Sequence, residues 1–126
     1  MKMRLAPYVE NICEAGFACL LTMAQGNVLA LTLSHWLVAS ETGLVAGAIT
    51  ATTAIAARFR EPWMLSLTLG GITIVVDAAV HRATFGVASL LEAVITGLGA
   101  FVLSLAANRA GRALAPPLRR ARKSAR

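Results

Sequence analysis

The stretch PWMLSLTLGGITIVVDAAVHR, Pro62 to Arg82, decides how the chain is read. From Trp63 to Ala79 it carries one formal charge, Asp77. Its apolar length matches the about 20 residues that one helical crossing of a bilayer needs. Ser66, Gly70, Thr73, Asp77 and His81 follow one another at spacings of three or four, so all five share one helix face. A carboxylate in such a segment is costly against lipid, so Asp77 is expected to face protein or water.

Composition extends this reading to the whole chain. Of 126 residues, 57% are hydrophobic and 14% charged, against about 25% charged in soluble domains. Four crossings with short links use nearly all of the length. The expected fold is therefore all-α: an integral membrane bundle of four transmembrane helices over residues 1–111, with a basic tail over 112–126. The helices are expected at about 8–33, 38–57, 62–80 and 85–108. Pro7 and Pro62 suit helix starts, and Ala115-Pro116-Pro117 stops the last helix. Where the first hairpin turns is open, between Gln25-Gly26-Asn27 and the segment 34–41, with the second favoured. The first segment opens like a signal peptide, but Glu10, Asn11 and Glu14 interrupt its apolar run, so it is read as retained.

Charge orients the bundle. Lys2 and Arg4 lie at the start, Arg58 and Arg60 in the second link, and seven of the twelve basic residues from Arg109 onwards. The first link has none and the third only Arg82. The positive-inside rule puts both termini in the cytoplasm and the protein in the cytoplasmic (inner) membrane of a bacterium. The tail residues Arg119, Arg120, Arg122 and Lys123 are expected to contact anionic headgroups of the lipid bilayer. No aromatic residue interleaves them, so nucleic acid is not an expected partner.

Two helices carry stripes of small residues. The second has Ser40, Gly43, Gly47, Thr50, Ala54 and Ala57. The fourth has Gly86, Ser89, Ala93, Gly97, Ala100, Ser104, Ala107 and Gly111. Gly43 with Gly47, and Ala93, Gly97, Ala100 and Ser104, are expected to pack helices closely, in a homo-oligomer or on a larger membrane complex. Cys13 and Cys19 have neither metal-ligand nor obvious disulfide spacing, and both read as small core residues.

Candidate chemistry rests on acids within the helices. Glu14 lies toward the cytoplasm; Glu41, Asp77 and Glu92 lie toward the outer face. These four are candidates for an ion or proton path, with Gln25, Thr50, Thr73 and Thr96 along it. The same groups serve equally as structural hydrogen bonds between helices. Asp77 with His81, and His35 at the same level, is a candidate metal pair; a helix-end cap pairing His81 with Asp77 is the plainer reading. No phosphate loop or nucleophile elbow is present, so neither enzyme activity nor a cofactor is expected.

The layout of a few membrane helices and a short basic tail resembles phage holins, which implies membrane lesions through oligomerisation. Glu14 in the first of four helices is similar to small multidrug transporters. The later helices lack that family's aromatic and glycine pattern, so its function is not carried over. A channel or transporter moving a proton, cation or small solute ranks first. An accessory subunit of a membrane complex ranks second, and a holin-like lesion former third.

Overall fold

The computed structural model describes residues 5–26, 32–86 and 89–114. They form four helices: α1 (Ala6–Gly26), α2 (Leu33–Ala56), α3 (Pro62–Phe85) and α4 (Leu90–Leu114). Three of them, α2, α3 and α4, are long and apolar enough to cross a membrane. In α1 the run is broken by Glu10, Asn11 and Glu14.

The bounds differ from expectation at several places. At the far end α4 runs on to Leu114, past the expected 108 and into the first residues of the expected tail. The first hairpin does not run through 34–41: α1 ends at Gly26 and α2 begins at Leu33. Thr32 caps α2, with its hydroxyl 2.6 Å and its backbone N–H 3.3 Å from Nδ1 of His35. The residues between, 27–31, lie outside the described ones. Next, α3 continues past residue 80 to Phe85 because nothing breaks it before Gly86. Gly86 takes φ 74 and closes the helix through its N–H to the Arg82 carbonyl. The expected first member of the fourth helix's stripe is thus the terminator of the third, and α4 starts at Leu90. Finally, α2 ends in a Schellman turn. The Phe59 N–H reaches the Ala54 carbonyl and the Arg58 N–H that of Ile55, with Arg58 itself at φ 52. Pro62 then opens α3 at its first position.

The helices pack as an antiparallel square. Each lies against its chain neighbours, α1 closes on α4, and α1 meets α3 across the diagonal. Glycines allow the closest approaches. Gly43 lies on Gly16 and Ile12, and Gly47 on Ile12, so α1 and α2 meet backbone to backbone. Gly97 fits between Gly70 and Ile74 at the α3–α4 contact. Ala93, Ala100 and Ser104 are buried as well. The middle of each small-residue stripe, Gly43 to Thr50 and Ala93 to Ser104, is therefore used inside this chain, while Ser40, Ala57, Ser89 and Gly111 at their ends are exposed. Helical periodicity found the stripes; the neighbour they meet follows from the square.

In the described residues the interior sets ten polar or charged side chains among small apolar residues. Among the largest fully buried side chains, Leu69 and Val38 are the aliphatic ones; the others are Asn11, Thr42, Thr50, Thr73, Thr96, Asp77, Cys19, Ser66 and Ser104. Large apolar residues such as Phe17, Leu37, Trp63, Leu67, Val75, Leu91 and Val102 are exposed. A water-soluble domain sorts these classes the other way.

Candidate functional site

The polar interior has two levels, joined by α3. The first is centred on Asp77, which is 1% exposed. The Cys19 thiol, from the diagonal helix α1, donates to Oδ1 at 3.2 Å. The Thr42 hydroxyl on α2 points at the same oxygen from 3.5 Å, and Thr96 on α4 lies beside it. All four helices thus meet at one carboxyl. One turn along α3, His81 places Nδ1 2.9 Å from the Asp77 backbone carbonyl and 3.5 Å from Oδ1. A carbonyl only accepts, so Nδ1 carries the proton.

The second level is centred on Glu14, also buried. Asn108 donates to the Ser66 hydroxyl at 3.3 Å, and the one Ser66 proton is within reach of both Ser104 Oγ at 3.0 Å and the Pro62 carbonyl at 3.3 Å. Ser104 lies beside the Glu14 carboxyl. Glu14 and Cys19 are five residues apart on α1, so the two levels are about 7–8 Å apart along the bundle. Thr73, one turn below Asp77 on α3, falls between them and is fully buried. Asp77 Oδ2, Thr73 Oγ1 and Glu14 Oε2 are buried without a hydrogen-bond partner, as are Thr50 Oγ1 and Asn11 Nδ2. Native interiors satisfy the great majority of such atoms, so each of these has hydrogen-bonding capacity to spare.

The expected site residues separate accordingly. Asp77 and Glu14 are both in the column. Glu92 is half-buried at the start of α4, one turn above Thr96 and near enough to act on Asp77 by its charge. Glu41 is exposed on α2, while its neighbour Thr42 turns inward. Gln25 is exposed too, in an outward groove between α1 and α4. Of the candidate metal residues, Asp77 and His81 meet and His35 does not join them. His35 uses Nδ1 to cap α2, and Phe85 stands between the two histidines, its ring centroid 6.4 Å from that of His35 and 5.8 Å from that of His81. Among the described residues no group of three His, Cys, Asp or Glu is arranged to hold a metal ion. Cys13 is exposed, unlike Cys19. Arg119, Arg120, Arg122 and Lys123 lie outside the described residues.

Sequence reasoning missed Cys19 and Thr42 as partners of Asp77. Their only signal was small size among apolar neighbours, which most membrane-type helices share. Glu41→Gln is expected to leave any transport through the column unchanged, which flux measurements on reconstituted protein check directly.

No protein-family model matches the chain, and neither the curated proteins nor the solved structures yielded a match.

Proposed function

We propose that the chain is a small membrane transport protein. Its four helices cross the cytoplasmic membrane with both ends inside, and it moves a small cation or solute along the polar column. The observation that carries this reading is the placement of polarity: two carboxyls and a set of hydroxyls buried among small residues, with a broad band of exposed leucine, isoleucine, valine and phenylalanine outside. Such a surface suits lipid. Trp36 and Trp63 are half-exposed near opposite ends of the bundle. From Trp36 to the end of α2 is 20 residues, or about 30 Å, the depth of a hydrocarbon core. Arg58, Arg60, Arg109 and Arg112 share one end of the square, as the positive-inside rule asks of a cytoplasmic face.

Because the middle of each small-residue stripe is buried within the chain, the path proposed here runs through one bundle and not between copies. The test is reconstitution into sealed vesicles. Wild-type protein should collapse an imposed ion gradient measured with a potential-sensitive dye, and Glu14→Gln should slow this about tenfold or more. Equal rates in the two would count against Glu14 as part of the path. An accessory subunit would instead show no flux alone and would co-purify with other chains in fixed ratio.

A further inference from the structure

We infer that the species moved is the proton, relayed from Asp77 through the Thr73 hydroxyl to Glu14, and not a metal cation or a solute. This rests on the transport reading and narrows it to one substrate.

The first argument is the chemistry around Asp77. Hard cations take several oxygen lone pairs at once, and membrane proteins that bind alkali cations within the bilayer often free backbone carbonyls by unwinding a helix. Here α1 and α3 run unbroken past Cys19 and Asp77, so their carbonyls stay in helical hydrogen bonds. The side chains aimed at the carboxyl bring donors instead: the Cys19 thiol, the Thr42 hydroxyl and the protonated Nδ1 of His81. Donors turned toward Oδ1 stabilise the carboxylate charge and occupy that oxygen against a cation, leaving Oδ2 as the one atom open to load and unload a proton.

The second argument is the spacing of the unpartnered atoms. Asp77 Oδ2, Thr73 Oγ1 and Glu14 Oε2 are all unpartnered, and helical rise sets Thr73 one turn below Asp77 and Glu14 about 7–8 Å below the Cys19–Asp77 level. Asp77 and Thr73 are one helical turn apart on the same face, about 6 Å along the axis. Each can hold a proton or pass one on. The transfer balances without any co-reactant. An O–H bond forms at Asp77 Oδ2 as a proton arrives from the His81 and Glu92 end. It breaks as the proton passes to a lone pair of the Thr73 oxygen, directly or through a bridging water. Thr73 releases its original proton toward Glu14 Oε2. Below Glu14, the hydroxyls of Ser104 and Ser66 and the Asn108 amide extend the polar column toward the end of α4. Packing adds a third argument. Leu69, Ala15, Ala46 and Ala100 are fully buried around the column, and a proton can be handed through a packed interior that a hydrated ion could enter only by displacing side chains.

The experiment uses the full chain in phosphatidylethanolamine–phosphatidylglycerol vesicles holding a pH-sensitive dye. A potassium gradient with valinomycin drives proton uptake, and radioactive sodium uptake is followed in parallel. Wild-type protein should acidify the vesicles and leave sodium uptake at the protein-free rate. Thr73→Val keeps the side-chain shape without the hydroxyl and should slow acidification about tenfold or more, while Thr73→Ser should restore it. Matching thermal unfolding of the variants separates this from a folding defect. Sodium uptake that depends on Asp77, without acidification, would overturn the proton inference and leave the transport reading standing. Acidification unchanged in Thr73→Val would overturn the relay. Vesicles tight to both ions would remove the transport reading as well.

Discussion

Asp77→Asn is expected to abolish transport while leaving the bundle folded. The two effects separate because the side chains have the same shape. The asparagine oxygen can still accept from the Cys19 thiol at 3.2 Å and from Thr42. Its amide places donors where Oδ2 has no partner now. A buried amide donor without an acceptor costs about 1–3 kcal/mol, and removing a buried charge offsets part of that. Thermal unfolding followed by circular dichroism should therefore move little. An amide does not take up and release a proton as a carboxyl does, so flux should fall to the protein-free level, a loss of about a hundredfold if Asp77 accepts the transferred proton. Full flux from Asp77→Asn would show that the carboxyl is a structural hydrogen-bonding group. Loss of folding together with flux would show the same in another way.

Enlarging Gly43 is expected to destabilise the bundle strongly. A Cβ there would sit 2.8 Å from the Ile12 carbonyl oxygen and 2.9 Å from the backbone of Gly16. Both are backbone atoms, so no rotamer change relieves the contact, and α1 must move off α2. Overpacking of this kind costs typically about 1–3 kcal/mol, and Gly43→Leu should exceed the effect of Gly43→Ala. Gly71 provides the control, since nothing lies within 4 Å of a Cβ built there. Gly71→Ala should be neutral or stabilising, by up to about 1 kcal/mol. Thermal midpoints of the three variants in one detergent check this. An unchanged midpoint for Gly43→Leu would mean that α1 and α2 do not meet as described. From the stripe alone, the expectation was that a larger residue at Gly43 or Gly97 would detach a partner. In the structure it first opens the chain's own bundle.

The all-α class and the number of helices were legible in the amino-acid order alone. The scarcity of charge, the length of the apolar runs and the Arg58–Pro62 link are local properties, and each acts before any helix meets another. The same order sets Ser66, Thr73, Asp77 and His81 on one face of α3, because a period of 3.6 residues allows nothing else. Glu14 and Asp77 were legible as costly groups for the same reason. The tertiary structure decided what those faces meet. Rotation of α2, seated by Gly43 and Gly47 on α1, turns Thr42 inward and Glu41 outward, though both were equally available on the page. The diagonal contact brings Cys19 to Asp77 across 58 residues of chain. Periodicity assigns residues to a face of one helix. It holds no information about which helix stands opposite, and that is set by where glycine lets two backbones come close.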